Sequence, residues 1–182
     1  FTRRDAFSHS SDLAHLLWSL IECPWLVSMF GDTTRKERRR DRVREPKPLG
    51  SAALYQSDGA SRAEAAARRA SYGAAYWPPG RHAAGVPAAG TFRMYIGDAS
   101  NNVAEYHGLR AAMQRAVRRP DREVVFQVDS DLVAKQMARV NAYVCRADGL
   151  MPLHHDCNQL GKALEERGVS WEVRHVYREY NQ

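Results

Sequence analysis

The sequence predicts an α/β fold in which helices flank a five-stranded mixed sheet, with a helical and basic extension in front of it. Two observations lead to this fold class. Short segments with strand character come first along the domain, and segments with helical periodicity follow them. The predicted order is strand, strand, strand, helix, strand, helix, helix, strand. This order is typical of a mixed sheet covered by helices.

The first part of the chain is predicted to be an extension, residues 1–50, ahead of one domain at residues 51–182. A domain of about 130 residues is of ordinary size. The extension contains a short amphipathic helix whose apolar face needs a protein partner, and this face comprises Leu13, Leu16, Leu17, Leu20 and Ile21. A basic segment follows at residues 35–48, and it serves either as a solvated tether or as a contact for phosphate.

The first three strands of the domain are predicted to form an antiparallel meander. "SAALYQSDGA" and "ASYGAAYW" read as short strands separated by a connection rich in alanine and arginine. "GTFRMYIG" is the third strand, and its alternation directs Phe92, Met94 and Ile96 toward the core.

The second half of the domain is predicted to contain three helices and two strands. A helix over residues 102–119 is stopped by Pro120, and "EVVFQV" after it is apolar enough to be a buried central strand. Helices over residues 130–140 and 152–167 come next, the latter ended by Gly168. "SWEVRHV" is the last strand.

The charge of the chain favours an anionic partner. The formal net charge is +6 and the isoelectric point is near 9.5, which favours nucleic acid over an acidic substrate. The three cysteines lack paired spacing and are expected to be reduced thiols of an intracellular protein. No membrane span is expected, because the most apolar segment, residues 13–30, is interrupted by polar residues and a proline. The chain begins with Phe1, so a targeting signal can be missing, and cytoplasmic and mitochondrial locations both stay open.

Three acidic residues lie where the predicted layout would gather them. Asp58 is in or just past the first strand, Glu105 is in the first turn of the next helix, and Asp129 ends the central strand. Functional crevices in open sheets lie at such strand ends, and clustered carboxylates call for divalent cations between them. Each residue also has a local explanation, as a turn residue, a helix-dipole partner and a helix cap respectively.

Four motifs in one order resemble the ribonuclease H family, in its bacterial, archaeal and plant-like form. They are "DGAS" at Asp58, "SNNVAEYHGLRAA" from Ser100, "VDSDLVAKQM" from Val128 and "RHVYREYN" from Arg174. The resemblance covers residues 51–182. It implies a ribonuclease H-like five-stranded sheet and metal-dependent endonucleolytic hydrolysis of the RNA strand of RNA–DNA hybrids.

The resemblance also implies the composition of a site. Asp58, Glu105 and Asp129 match three carboxylates that bind two Mg²⁺ ions, with Mn²⁺ as an alternative. One ion would activate a water and the other would stabilise the leaving oxygen. Asn101 and Asn102 match a pair that contacts the hybrid in its minor groove, although helix capping also explains them. Two further matches are Ser100 for a phosphate contact and His175 for proton transfer or product release.

Two departures from the family pattern support an alternative function. "AEAAARRA" replaces a glycine- and proline-rich turn, so Arg62, Arg68 and Arg69 substitute for it or a helical insertion blocks the groove. The family places a fourth carboxylate beyond the asparagine matched by Asn181, so either the domain is incomplete at its C-terminus and further residues supply this acid, or part of the second metal site is lost. The alternative is a non-catalytic structural or assembly component of a ribonucleoprotein, such as a mitochondrial ribosome, that binds structured RNA.

Overall fold

The structure is a computed structural model that describes residues 49–64, 67–83, 85–139 and 142–177. Five strands and three helices alternate in the predicted order. They are β1 (Ala53–Glu64), β2 (Ala67–Trp77), β3 (Gly90–Gly97), α1 (Asn101–Ala116), β4 (Glu123–Val128), α2 (Asp131–Gln136), α3 (Met151–Glu166) and β5 (Ser170–His175). The predicted fold class is therefore confirmed for the domain. The predicted extension lies outside the described residues except at its end.

The strands form one mixed sheet in the order β3-β2-β1-β4-β5. β1, β2 and β3 are an antiparallel meander, whereas β4 runs parallel to β1 and β5 runs parallel to β4. Ser57 pairs with Val128, and Val128 pairs with His175, so the three parallel strands reach their last paired residues at the same level. The residues that follow these positions therefore meet at one edge of the sheet.

The main core lies between the sheet and the helices. Alternate residues of β1 and β4, including Tyr55 and Phe126, face α1 and pack against its buried side, which includes Tyr106, Leu109 and Met113. A smaller apolar cluster contains the alternate strand residues, and its members are Ala52, Leu54, Trp77 and Val125.

The first two strands are longer than the sequence predicts, and every described residue of the predicted connection belongs to one of them. Their pairing is continuous from Leu54 opposite Trp77 to Glu64 opposite Ala67. The expected helical insertion is therefore wrong for the described residues of this segment. Alanine is the strongest helix former, but helix propensity is a weak predictor, and strand pairing satisfies the backbone groups of both strands at once, so tertiary context decides the conformation.

The third strand does not direct all three of its predicted residues into the core. Phe92 packs against the main core, but Met94 is 58% exposed. β3 is one of the two edge strands of the sheet, and α1 packs over β1 and β2 instead. The alternation is present, but no described helix covers this part of the edge strand.

The helices differ from prediction at their ends. α1 begins at Asn101 and ends three residues earlier than predicted. α2 ends at Gln136 because the chain turns back on it: the backbone N–H of Tyr143 donates to the carbonyl of Lys135 at 2.9 Å. Within the described residues, no helix combines the length and the apolarity that crossing a bilayer requires.

Candidate metal centre

The carboxylates of Asp58, Glu105 and Asp129 come together in space. Each offers an oxygen, and these atoms all lie within 4.8 Å of one another. Asp58 and Asp129 each follow the last pair between β1 and β4, which explains why they are neighbours. The sequence-based expectation that these residues meet at one sheet edge agrees with this arrangement.

Glu105 reaches the cluster because α1 lies unusually close to β1. A Cβ atom on Gly59 would be only 2.3 Å from the backbone nitrogen of Glu105, so no larger residue fits without movement. The backbone N–H of Gly59 donates to the Glu105 carboxylate. Sequence analysis did not assign a role to this glycine, although a glycine inside a strand is a known signal of close backbone approach.

The three local explanations for these acids do not hold in the structure. Asp58 lies within β1 and not in a turn. Glu105 is the fifth residue of α1, beyond the first turn in which the helix dipole acts, and the prediction of its first-turn position is wrong. The side chain that caps α2 belongs to Ser130, which accepts from the N–H of Val133, and not to Asp129. The acids therefore need another explanation.

The cluster is electrostatically costly without a cation. The Glu105 side chain is 1% exposed, and its Oε2 atom is buried with no hydrogen-bond partner among the described residues. The pKa of Glu105 is raised to about 9, chiefly by burial and then by the nearby charge and hydrogen bond of Asp129 and the charge of Asp58. Buried carboxylates without compensation are a fitting ligand set for hard divalent cations. The residues present thus suit a divalent metal.

His175 lies beside this cluster at the end of β5. Its ring is exposed, and Nε2 is 3.2 Å from the backbone carbonyl oxygen of Asp129. The ring also meets that of Tyr177 edge-on, with centroids 5.1 Å apart. The histidine is therefore next to the acids at the same edge of the sheet.

Ser100, Asn101 and Asn102 lie at the start of α1, beside the acids. The Ser100 side chain accepts from the N–H of Val103 at 3.3 Å and is the cap of the helix. Both asparagines are exposed helical residues, so the capping explanation for them is wrong. A hydrogen bond that the sequence did not predict stabilises this region: the Ser61 hydroxyl donates to the carbonyl of Ala99 at 2.7 Å.

The hairpin of β1 and β2 continues past the acids and carries positive charge. Arg62 pairs directly with Arg69, and both side chains are exposed. From Asp58 to the end of β1 the hairpin extends about 20 Å, at roughly 3.4 Å per residue. This arm carries the exposed guanidinium groups of Arg62 and Arg69 beyond the carboxylates, in the direction in which β1 runs.

Comparison with solved structures gives the same fold. The N-terminal RNase H domain of Rv2228c from Mycobacterium tuberculosis is 28% identical, with a TM-score of 0.59, and the match covers 72% of this chain and 86% of that one. RNase H1 from the archaeon Halobacterium salinarum is 25% identical, with a TM-score of 0.58, and the match covers 71% and 89% of the two chains. A family model described as reverse transcriptase-like matches residues 82–182, more than half of the chain. The chain belongs to the ribonuclease H family.

Two further comparisons bear on the ribonuclease H assignment, one with another solved structure and one with curated proteins. LC11-RNase H1, from compost, was solved with an RNA/DNA hybrid and is 23% identical, with a TM-score of 0.55. That match covers 71% of this ribonuclease H chain and 88% of the other, and at this identity it shows only that the two chains share a fold. No curated protein matches the sequence. The region that the family model matches begins after β2 and does not include Asp58. Asp58 is therefore assigned to the cluster by its position in the structure.

Proposed function

We propose that this ribonuclease H domain is a metal-dependent endonuclease that hydrolyses the RNA strand of RNA–DNA hybrids. The observation that carries the proposal is the meeting of three carboxylates within 4.8 Å, where the parallel pairing of β1 with β4 ends and α1 passes close to β1. Three acids around a buried carboxylate oxygen would not be expected for a purely structural reason, because the negative charge of each carboxylate makes ionisation of the others less favourable.

Asp58, Glu105 and Asp129 would hold the metal, which we propose to be two Mg²⁺ ions, with Mn²⁺ able to replace them. When bound, the metal supplies an activated water and stabilisation of the leaving oxygen. The protein contributes position: Gly59 allows the close approach of Glu105, and its N–H orients that carboxylate. Glu105 must also release its proton, since a carboxylate binds metal in its charged form.

Substrate recognition is assigned to the start of α1 and to the basic hairpin. The exposed amides of Asn101 and Asn102 have donors and acceptors for base edges and for the 2′-hydroxyl of RNA in a minor groove. The Ser61–Ala99 hydrogen bond holds the segment before them against β1. Arg62 and Arg69 offer contacts for phosphate further along the duplex. The binding of an RNA/DNA hybrid by the structurally similar LC11-RNase H1 supports this substrate.

His175 is proposed to assist proton transfer or product release. Its exposed ring lies against the backbone of Asp129, so it can reach solvent and substrate at the metal edge without being a ligand itself. Ser100 keeps its capping role, and any contact of its hydroxyl with phosphate adds to that role.

The test is cleavage of a labelled RNA–DNA hybrid by Asp129→Asn, with Asp131→Asn as the matched control. Asp131 is an exposed acid two residues away that forms an ion pair with Lys135. We expect Mg²⁺-dependent cleavage of the RNA strand, lost at least a hundredfold in Asp129→Asn and kept in the control. Undiminished cleavage by Asp129→Asn contradicts the mechanism. Tight hybrid binding without cleavage by the folded wild type supports the ribonucleoprotein alternative instead.

A further inference from the structure

A second pocket lies toward the other end of α1, away from the carboxylates. It has a volume of about 370 Å³, and its lining includes Tyr55, Tyr76, Phe92, Arg115, Arg118 and Arg119. Ten residues of helix separate Glu105 from Arg115, which corresponds to about 15 Å along the helix axis. The pocket is therefore distinct from the candidate metal centre, and none of the proposed catalytic residues lines it.

Two of the three arginines of this pocket carry a positive charge that no carboxylate of the described residues neutralises. Arg115 lies over the ring of Phe92 at 3.9 Å, which fixes its guanidinium at the pocket wall. Arg115 and Arg118 are exposed, and neither forms an ion pair with a carboxylate of the described residues. These two groups are available for an anion.

The third arginine, Arg119, is held in the pocket wall by contacts with its neighbours. Arg119 lies over the ring of Tyr76 at 4.0 Å and forms an ion pair with Asp121 at 3.5 Å. The Tyr76 hydroxyl donates to the same carboxylate at 3.3 Å. Three guanidinium groups and one carboxylate leave the pocket with a formal charge of +2.

A buried hydroxyl group at the pocket provides an independent sign of a ligand. The Tyr55 side chain is 1% exposed, and its hydroxyl oxygen is buried with no hydrogen-bond partner among the described residues. Tyr55 lines this pocket, and Arg119, Tyr76, Asp121 and Arg115 are the groups that act electrostatically on its hydroxyl. An unsatisfied buried hydroxyl costs about 1–3 kcal/mol, and a polar ligand would remove that cost.

A simpler explanation covers only part of these observations. Arginines at the C-terminal end of a helix interact favourably with its dipole, and Arg115 lies in the last turn of α1. The dipole accounts for the presence of positive charge. It does not account for the concave shape of the site or for the buried, unpartnered hydroxyl of Tyr55, a residue of its lining.

We propose that this pocket is a phosphate-binding site, for the phosphate group of a nucleotide or of a nucleic acid strand. Guanidinium groups bind phosphate with paired, charge-assisted hydrogen bonds, and Arg115 and Arg118 supply them at the mouth. The Tyr55 hydroxyl donates from the floor, where burial raises its pKa and keeps the proton in place. The aromatic rings of Phe92 and Tyr76 favour a ligand that also carries a base. The site goes beyond the proposed hydrolysis and does not depend on it.

The test uses the full chain in EDTA, which keeps metal out of the carboxylate cluster, with inorganic phosphate and adenosine monophosphate as probes. Arginine side-chain NMR signals report binding. We expect saturable shifts at Arg115 and Arg118, and at least a tenfold weaker affinity in the double variant Arg115→Gln/Arg118→Gln. The control Arg81→Gln/Arg146→Gln removes the same charge from exposed positions outside the pocket, and it should bind as the wild type does.

A third variant, Tyr55→Phe, separates phosphate binding from simple attraction to charge. It keeps the ring in the core and removes only the hydroxyl, so we expect several-fold weaker binding with no fall in melting temperature. No binding by the wild type, or equal binding by both double variants, overturns the proposal, as does unchanged affinity in Tyr55→Phe. A six-nucleotide single strand that binds more tightly than the mononucleotide identifies a strand as the source of the phosphate, and equal affinity identifies a nucleotide.

Hybrid cleavage by the pocket variants keeps this proposal separate from the proposed function. Arg115→Gln/Arg118→Gln should cleave a short hybrid at the wild-type rate, because its residues lie about 15 Å along α1 from Glu105. Loss of phosphate binding with cleavage intact supports two independent sites. Slower cleavage of the short hybrid in this variant would contradict the independence of the pocket.

Discussion

Gly59 and Glu105 are in backbone contact: a Cβ on Gly59 would lie 2.3 Å from the nitrogen of Glu105 and 2.5 Å from the carbonyl carbon of Ala104. This contact fixes the distance between β1 and α1 at the metal edge. It is the reason that an acid on a helix can join two acids on strands.

Gly59→Ala should separate the helix from the strand. We expect a loss of about 1–3 kcal/mol in the free energy of unfolding, typical of overpacking, and a fall in hybrid cleavage of at least tenfold. Gly73→Ala is a matched control, because Gly73 pairs with Asp58 across the hairpin and its added Cβ would meet only the carbonyl oxygen of Phe92, at 3.8 Å. Urea denaturation and hybrid cleavage check both variants. Equal stability of the two variants would show that the contact is not a constraint.

Glu105→Gln should stabilise the metal-free protein at neutral and alkaline pH. The pKa of Glu105 is raised from 4.5 to about 9 in the folded state, so the folded protein holds a proton that the unfolded chain releases. This contribution to stability is complete below about pH 4.5 and is lost as the pH rises through about 9.

Glutamine has no such pH dependence. In EDTA the variant should therefore exceed the wild type by up to about 5 kcal/mol at about pH 8 and match it near pH 4.5. The same variant should not cleave the hybrid. Urea denaturation at the two pH values checks the expectation, and a stability difference independent of pH would contradict it.

Metal binding should release a proton from the site. Because Glu105 is protonated below about pH 9, a cation competes with that proton, and the apparent affinity for Mg²⁺ should rise about tenfold per pH unit per proton displaced. Calorimetric titration of Mn²⁺ or Mg²⁺ in buffers of different ionisation enthalpy measures the number of protons released. Proton release near zero at neutral pH would show that Glu105 is already charged.

The serine and the asparagines before α1 should separate into different roles. Ser100→Ala removes the helix cap and should cost about 1 kcal/mol of stability. Asn101→Ala/Asn102→Ala removes two exposed amides, so stability should change little while hybrid affinity falls several-fold. Thermal melting and hybrid binding, measured on both variants, check this. A large loss of stability in the asparagine variant would return these residues to a structural role.

The sequence predicted which three acids meet better than it predicted the ends of the strands and helices that carry them. The order of elements and the meeting of Asp58, Glu105 and Asp129 follow from motif spacing and from the rule that parallel strands end at one edge. The place of Glu105 in the helix was predicted one residue too early, because Ser100 and not an asparagine supplies the cap.

Other features depend on contacts distant in sequence. The alanine-rich segment joins a hairpin because a neighbouring strand is present to pair with it, and local propensity contains no information about that strand. Likewise, the closeness of Gly59 to Glu105 and the grouping of Tyr55 with Arg119 become visible only when the sheet is assembled. The pairwise distance between elements is a tertiary property, and single-sequence patterns do not encode it directly.

The pairing of β1 has a consequence for how such domains can diversify. Its first half, through Ser57, is paired on both sides, whereas beyond that residue it is paired with β2 alone. The register that positions the acids is therefore set before the arm begins. Residues can be added to or removed from the tip of the arm in matched pairs without moving the metal edge. Reach along a duplex and chemistry at the carboxylates are thus separately adjustable parameters, which selection or an engineer can tune one at a time.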